Sequence, residues 1–245
     1  MSVMEDILEK LEHRKLHFTL IDPDKQTPEK ASRMACAAHR AGTDAIMIGG
    51  STGYTEEDLD STVKAIKDTC PLPVILFPTS AGLLSPRIDA IFFMSMLNSC
   101  SCDYLIREHA KAAPYIKKLG IEPISMGYLV VEPGMRVAEV GHAECVPRAE
   151  PERAVGYAMA AEMFGMSLVY LEAGSGSPEP VPPEMVEMVA NAVSVPVISG
   201  GGITRPEHSR AAVRAGADIV VTGTVVERSE HVEEALTGII QAMRE

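Results

Sequence analysis

Two kinds of potentially reactive residues follow short apolar runs in the sequence. Asp22 and Asp24 follow one run, and Glu172 ends another. Carboxylates can bind hard divalent cations or act as general bases. Turns rich in glycine and hydroxyl residues follow other runs, at 49–53, 173–176, 200–202 and 223–224. Because exposed backbone N–H groups in such turns bind phosphate, the pattern indicates a phosphorylated substrate beside a carboxylate.

The last quarter of the chain predicts how these residues are positioned. Residues 195–199 and 218–222 are β-branched runs, typical of strands buried on both faces of a parallel sheet. Between them, Thr204 is predicted to cap a helix that ends near Gly216. This order of elements, followed by a Gly-Thr turn, is how the end of a (β/α)8 barrel binds phosphate. The alternative is that the glycines only form tight turns.

The whole chain contains further strand candidates of this kind. They lie at 16–21, 44–48, 73–78, 90–94, 123–131 and 168–172, and they alternate mostly with helical patterns. No linker or change of composition divides them, so we predict a single barrel domain over residues 1–245, with an extra helix at residues 4–16. A doubly wound open sheet is the alternative, but phosphate-type turns late in the chain favour the barrel.

The third and fourth strand candidates are joined by an unusually short connection. Residues 79–89 barely suffice for a crossover with its helix. We therefore predict a modified TIM (β/α)8 barrel that lacks helix 3. The missing helix would leave a groove on the side of the barrel, and Phe92, Phe93, Met94 and Met96 are candidates to line it.

Composition excludes several classes of protein. The net charge of -12 argues against general nucleic-acid binding, although a local site can still bind an anion. The five cysteines form no disulfide or metal-binding framework, which favours a reducing compartment. The N-terminus has no apolar core of signal-peptide length, and no apolar run is long enough to span a membrane. We therefore expect a cytoplasmic protein, which can still contact a membrane peripherally.

Each carboxylate has a second interpretation. Asp22 and Ser51, at the ends of adjacent strands, can supply a partial Mg²⁺ shell that waters and substrate phosphates complete. Asp22-Pro23-Asp24 is equally typical of a simple turn before a helix. Glu172 lies beside a glycine turn, where it can orient or deprotonate a substrate hydroxyl. It can also be one half of an ordinary ion pair.

The segment Gly49-Gly50-Ser51-Thr52-Gly53 matches the Gly-x-Ser-x-Gly nucleophile elbow of serine hydrolases. In that elbow the helix begins directly at the serine. Here Gly53 intervenes, and Thr55 is the better predicted helix cap. The hydrolase is therefore a disfavoured alternative.

Six segments span nearly the whole chain in order, at 17–24, 46–51, 128–133, 170–176, 200–203 and 223–224. Together they resemble a known family, the geranylgeranylglyceryl phosphate synthases with their bacterial heptaprenyl relatives. The resemblance implies a prenyltransferase that joins sn-glycerol 1-phosphate to a polyprenyl diphosphate with Mg²⁺. Its product would be the ether geranylgeranylglyceryl phosphate of archaeal-type membrane lipids. The family also lacks the third barrel helix.

The resemblance assigns roles residue by residue. It implies Asp22 and Ser51 as Mg²⁺ ligands, and Glu172, which the residues themselves also suggest, is the predicted catalytic group. The implied substrate-binding residues are Tyr170, Leu171, Glu172, Ala173, Gly174, Ser175, Gly176, Gly200, Gly201, Gly223 and Thr224. Some members carry a lysine where this chain has Leu20, so that lysine's role is not inherited.

The resemblance leaves the oligomeric state and the prenyl chain length open, and two alternatives lie outside the family. It suggests a homo-oligomer, either a dimer or a larger ring, without identifying an interface. The prenyl chain can be geranylgeranyl or heptaprenyl. Outside the family, a phosphate-binding barrel isomerase or lyase remains an alternative, although no second acid–base residue is evident beside Glu172. A phosphate-binding module without catalysis is another alternative.

Overall fold

The computed structural model describes residues 1–50 and 53–245. Eight parallel strands form a closed barrel in sequence order, and β8 pairs with β1. The strands are β1 Leu16–Ile21, β2 Ala45–Ile48, β3 Val74–Leu76, β4 Ala90–Met96, β5 Glu122–Val130, β6 Leu168–Glu172, β7 Val197–Gly200 and β8 Ile219–Thr222. The predicted TIM barrel is confirmed. Ser51, a predicted metal ligand, lies outside the described residues.

The helices surround this barrel. They are α1 Val3–Leu11, α2 Pro28–Ala41, α3 Glu56–Lys67, α4 Glu108–Leu119, α5 Met135–Val140, α6 Pro151–Met163, α7 Pro183–Ala192, α8 Pro206–Arg214, α9 Thr224–Arg228 and α10 Val232–Ala242. A π-helical turn at Asp103–Arg107 leads into α4. Thr55 caps α3 as predicted, since its side chain accepts the Asp58 N–H. The prediction that Thr204 caps α8 was wrong, because Arg205 occupies that position without a side-chain capping bond.

The connection from β3 to β4 contains no helix, and all its residues belong to the described part of the chain. The prediction of a missing barrel helix is therefore confirmed. Leu84 and Ile88 of this connection are buried against the side of the barrel, together with Ala112 and Ile116 of α4. An extended segment thus takes the place of a helix and leaves room for a groove beside α4.

Two apolar layers stabilise the barrel. Side chains such as Phe18, Phe92 and Tyr128 fill its interior, whereas alternate strand residues pack outward against the helices. Helix α1 joins the inner layer at the amino ends of the strands through the buried Ile7. There the Glu122 carboxylate accepts the N–H groups of Val3 and Met4, at 2.6 and 2.9 Å. Helix α1 therefore covers the amino ends of the strands, and the mouth lies at their carboxyl ends.

The long segment after β5 is ordered across that mouth. It contains α5, and the Asn98 side chain ties it down by donating to the carbonyl oxygens of Val130 and Glu144, at 2.8 and 2.9 Å. The Ser99 hydroxyl adds a bond to the Gly141 carbonyl at 2.6 Å. The end of β4 therefore fixes α5 in place, and α5 contributes side chains to the mouth.

Candidate active site

The carboxyl ends of the strands surround two adjoining cavities. The first, which we call the glycine cavity, lies at the ends of β6, β7 and β8. Its lining includes Tyr170, Glu172, Ser175, Gly176, Ser177, Gly201, Gly202, Ile203, Thr204, Thr222, Gly223, Thr224 and Arg228. Small residues and backbone dominate this lining. Such a surface suits a phosphate, which accepts hydrogen bonds from backbone N–H groups at close approach.

The second cavity, which we call the central cavity, lies at the ends of β1 to β5. Its lining includes Asp22, Lys25, Gly49, Gly50, Phe77, Met94, Met96, Tyr104, Tyr128, Arg136, Val137 and Glu227. Leu20, Glu172 and Ser175 line both cavities. Leu20 is the apolar residue of this shared wall, and Glu172 and Ser175 are its polar residues. Glu172 therefore lies where contents of the two cavities would meet.

A third cavity, the side groove, continues from the central cavity along the barrel wall. Met94, Met96 and Tyr104 line both, and Phe92, Phe93, Leu84, Ala112, Ile116 and His109 line the groove further along. The groove and the solvent space open to it together measure about 560 Å³. The groove lies where the barrel helix is missing, and its residues include Phe92, Phe93, Met94 and Met96, as the sequence predicted. An apolar groove of this kind suits a hydrocarbon chain.

His109 is the titratable imidazole of the side groove. Its Nε2–H donates to the Met94 carbonyl at 2.6 Å, and its ring packs edge-on against Phe93 at 4.7 Å between centroids. Burial lowers the pKa of His109, and the Met94 bond opposes that shift only in part. The ring is therefore neutral at neutral pH, which keeps the groove suitable for an apolar ligand.

Glu172 is a buried carboxylate held at the end of β6. Its Oε1 accepts the Gly174 N–H at 2.6 Å, so the turn after the strand fixes its orientation. Burial raises the pKa of Glu172, while the Gly174 N–H and the hydroxyls of Tyr170 and Tyr128 oppose the rise. Among the described residues no lysine or arginine forms an ion pair with it. The ion-pair interpretation therefore has no support, and a buried carboxylate with a raised pKa suits a general base.

Two glycines of the β7 turn are required by the groups that they face. A Cβ atom on Gly200 would collide with the Tyr170 hydroxyl, and one on Gly201 would collide with the Glu172 carboxylate. Gly201 also has a φ of +78°, which favours glycine. The strand-end glycines thus make room for Tyr170 and Glu172, and Gly201 also lines the glycine cavity directly.

The structure brings together most, but not all, of the predicted substrate-binding residues. Tyr170, Glu172, Ser175, Gly176, Gly201, Gly223 and Thr224 line the glycine cavity. The Thr224 hydroxyl links two turns, since it accepts the Gly176 N–H at 3.1 Å. The side chains of Leu171 and Ala173 instead pack in the outer apolar layer against the helices. Neither Leu171 nor Ala173 lines the glycine cavity or the central cavity, and the same holds for the predicted residues Gly174 and Gly200.

Asp22 fits one carboxylate of a magnesium site. It is buried at the end of β1 and lines the central cavity. Burial raises the pKa of Asp22, while the Asp24 N–H and Lys25 oppose the rise. In the described part of the chain, no group of three or more His, Cys, Asp or Glu side chains could hold a metal. Mg²⁺ usually takes only one or two carboxylates and completes its shell with waters and phosphates, so Asp22 suits it.

Asp24 does not join Asp22 at the mouth. The Asp24 side chain lies on the outer side of the turn, in a separate surface cavity with Gln26 and Asp58. Its N–H donates to Asp22 Oδ1 at 3.1 Å, which is the turn that Asp-Pro sequences favour. The turn interpretation is therefore correct for Asp24, while the same turn presents Asp22 to the cavity.

Three charged residues of the mouth were missed from the sequence. Lys25 lies in the turn after β1, and Glu227 and Arg228 lie on α9. Lys25 follows a strand end, which was a usable signal. Glu227 and Arg228 were missed because α9 itself was not predicted.

The structure does not meet the requirement of the serine hydrolase alternative. The elbow needs a helix that begins at the serine, whereas α3 begins at Glu56 behind its Thr55 cap.

None of the helices in residues 1–50 and 53–245 is both long and apolar enough to cross a membrane.

The chain is similar in sequence and in structure to synthases from several archaea. The chain is 54% identical to geranylgeranylglyceryl phosphate synthase of Thermococcus kodakarensis, over 94% of this chain and 91% of the relative. It is 49% identical to the Picrophilus torridus enzyme of the same name, over 99% of this chain and 100% of the relative. A crystal structure of the Thermoplasma acidophilum synthase in complex with sn-glycerol-1-phosphate superposes with a TM-score of 0.97. That pair shares 47% identity, with 99% of this chain and 98% of the other covered.

More distant barrels share the fold alone. The tryptophan synthase alpha chain of Legionella pneumophila matches with a TM-score of 0.67 at 13% identity. The sequence profile of the PcrB family, in contrast, matches residues 7–243. Nearly the whole barrel is therefore covered, from α1 to the last turn of the chain, and the protein belongs to the PcrB family.

Proposed function

We propose that this protein is a prenyltransferase that joins sn-glycerol 1-phosphate to geranylgeranyl diphosphate and forms geranylgeranylglyceryl phosphate. The observation that carries the proposal is the position of Glu172 between the glycine cavity and the central cavity, which continues into an apolar side groove. One compartment suits a small phosphorylated acceptor, and the other suits a long hydrocarbon donor. Relatives of nearly the same length carry the name of this activity.

The acceptor is bound by the glycine cavity. Its phosphate accepts hydrogen bonds from the strand-end turns at Gly201 and Gly223, and its glycerol part extends toward Glu172. This binding orients the free hydroxyl toward the donor. Fixing two reactants in this way can supply several kcal/mol of the activation free energy, on the order of 7–11 in well-aligned cases.

The donor occupies the central cavity and the side groove. Its prenyl chain lies between Met94, Met96 and Phe93, and its diphosphate faces Asp22. Mg²⁺, when bound by Asp22, would supply positive charge for the leaving diphosphate. The allylic C–O bond breaks with carbocation character and releases diphosphate. The acceptor's hydroxyl oxygen forms the new ether bond, and its proton passes to the carboxylate of Glu172.

The experiment that tests this function uses labelled glycerol 1-phosphate and a series of prenyl diphosphates of increasing length. We expect the geranylgeranyl donor to give a labelled lipid ether with release of diphosphate. Preference for a heptaprenyl donor would support the heptaprenyl alternative within the family. Conversion of the acceptor without any donor would support an isomerase or lyase. Binding of the acceptor without turnover of any donor would indicate a phosphate-binding module and contradict the proposal.

Asp22→Asn is expected to weaken the dependence on Mg²⁺. The amide keeps the size of the side chain and can still accept the Asp24 N–H, but it loses the negative charge that attracts the cation. We expect the Mg²⁺ concentration at half-maximal activity to rise by at least about tenfold, which corresponds to about 1.4 kcal/mol. Asp24→Asn is the matched control, since Asp24 lies outside the central cavity. An unchanged metal titration for Asp22→Asn would contradict its assignment as a ligand.

We also propose that the protein is a homo-oligomer. The end of α6 carries Met163 and Phe164, which are 79% and 77% exposed. Adjacent exposed apolar side chains of this kind are typical of surfaces that associate. Sedimentation velocity is expected to give a mass of at least twice the 26.3 kDa of one chain. A monomer at micromolar concentration would contradict this proposal.

A further inference from the structure

Lys25 forms a contact that has no role in the proposed reaction. Its ammonium lies 3.0 Å from each carboxylate oxygen of Glu227, and 3.4 Å from Oδ2 of Asp22. All three side chains line the central cavity. Lys25 belongs to the turn after β1 and Glu227 to α9 after β8, so the contact spans the two strands that close the barrel.

We propose that Lys25 binds the diphosphate of the prenyl donor, and that Glu227 positions the Lys25 ammonium for this contact. The inference rests on the proposed function, because it assigns a residue to the donor of that reaction. It makes Lys25 a binding residue and Glu227 a positioning residue.

The carboxylates of the central cavity favour a cationic side chain beside the diphosphate, in addition to the Mg²⁺ proposed at Asp22. Asp22, Glu172 and Glu227 all line it, and carboxylates repel the diphosphate of the donor. Among the residues that line this cavity, the lysines and arginines are Lys25 and Arg136. The Arg136 side chain is 61% exposed and pairs with Glu139 on α5. Lys25 is therefore the cation that lies beside Asp22, where the proposed function places the diphosphate.

The geometry leaves Lys25 able to make a further bond. An ammonium group has three N–H donors, and Glu227 accepts at two oxygens. The separation of 3.4 Å from Asp22 is longer than the roughly 2.7–2.9 Å of a strong charge-assisted hydrogen bond. The donor facing Asp22 is thus only weakly engaged. It can turn to a phosphate oxygen at little cost.

The burial of Lys25 and Glu227 fits their roles as the binding residue and the positioning residue. The Glu227 side chain is only 15% exposed, whereas that of Lys25 is 46% exposed. A mostly buried carboxylate on a helix is a fixed acceptor, while a lysine of this exposure can adjust to a ligand. Lys25 is absent from the lining of the glycine cavity. Its removal should therefore affect the donor and spare the acceptor.

The test measures binding of inorganic diphosphate in the presence of Mg²⁺ by isothermal titration calorimetry, so it needs no turnover. Lys25→Met should raise the Kd of diphosphate by at least about tenfold. The Kd of glycerol 1-phosphate should stay within about twofold, and Lys25→Arg should recover most of the lost affinity. Lys30→Met is the matched control, because Lys30 lies one turn into α2, is exposed, and does not line the cavity. It should bind both ligands like the wild type.

A double variant separates direct binding from simple charge compensation. If Lys25 only neutralises Glu227, then Lys25→Met with Glu227→Gln should restore the wild-type affinity for diphosphate, which would overturn the inference. If Lys25 contacts the diphosphate, the double variant should remain at least about tenfold weaker than the wild type. The same loss of affinity for both ligands, with a lower Tm, would indicate a structural role and also overturn it.

Failure of the proposed function would look different. A wild-type protein that binds glycerol 1-phosphate but not diphosphate would contradict the proposal that the donor is a prenyl diphosphate. A wild-type protein that binds diphosphate, together with an unchanged Kd in Lys25→Met, would overturn only the role of Lys25.

Discussion

Glu172→Gln is expected to lower kcat by roughly 100- to 10,000-fold, the range in which general acid–base groups contribute. Glutamine has the size of glutamate, and its Oε1 can still accept the Gly174 N–H. The turn after β6 and the glycine cavity should therefore stay intact. What the amide cannot do is accept the proton of the acceptor's hydroxyl.

Comparison with Glu172→Ala separates the two roles that this carboxylate can have. If Glu172 acts as the base, both variants should lose activity to a similar extent. If it only orients the hydroxyl, glutamine should keep a large share of kcat while alanine loses it. The Kd of glycerol 1-phosphate and the Tm provide the controls for an intact site and fold. Turnover of Glu172→Gln near that of the wild type would contradict a role as base.

The pH dependence of the wild type adds a readout to the same prediction. A base must be ionised, and burial raises the pKa of Glu172 above that of an ordinary glutamate. Activity should therefore rise with pH through a pKa above about 4.3, the value of a free glutamate. The acidic limb of the profile should be absent from the residual activity of Glu172→Gln.

The sequence was sufficient to predict which strand ends line the candidate site. Glu172, Gly201 and Gly223 each follow a run of buried strand residues, and parallel strands in a barrel place all their carboxyl ends at one mouth. The sequence did not show that the side chains of Leu171 and Ala173 pack outward, whereas those of Tyr170 and Glu172 line the glycine cavity. Parallel strands are apolar on both faces, so the inward and outward residues do not alternate in polarity.

The charged residues of the mouth depend on features that local sequence does not encode strongly. Helix α9 has five residues, two of which are the β-branched Val225 and Val226. Such a segment carries no helical periodicity and has low helix propensity. The contact between Lys25 and Glu227 joins positions far apart in the chain. It exists only because β8 closes the barrel against β1.

His17 is a buried residue whose hydrogen bonds fix its proton. Its Nδ1 lies 2.7 Å from the Thr43 hydroxyl, and its Nε2 lies 3.0 Å from the Thr222 hydroxyl. Thr43 donates its own hydroxyl proton to the His17 carbonyl at 3.0 Å. Nδ1 must therefore donate to Thr43, and in the neutral ring Nε2 accepts from Thr222. A second proton on the ring would require the Thr222 hydroxyl to turn and accept instead of donate.

The stability of the fold should consequently decrease in acid through His17. Burial lowers the pKa of His17 to about 4, although Asp44 opposes the shift, whereas the unfolded chain has the ordinary value of 6.5. Between these values the unfolded state binds a proton that the folded state does not. The contribution to stability is complete above the unfolded pKa and is lost as the pH falls toward the folded one. The full loss amounts to roughly 3 kcal/mol.

His17→Gln isolates this contribution, because a glutamine amide can also donate to Thr43 and accept from Thr222 but does not titrate. Burial also raises the pKa values of Asp22 and Glu172, so the wild type alone would mix their effects with that of His17. The contributions of Asp22 and Glu172 cancel in the difference in unfolding free energy between the wild type and His17→Gln. Urea unfolding from about pH 7 to about pH 4 measures this difference. Over that range the unfolding free energy of the wild type should fall by roughly 3 kcal/mol relative to that of His17→Gln. A difference that is independent of pH would show that His17 titrates alike in both states, which its burial between two threonines does not allow.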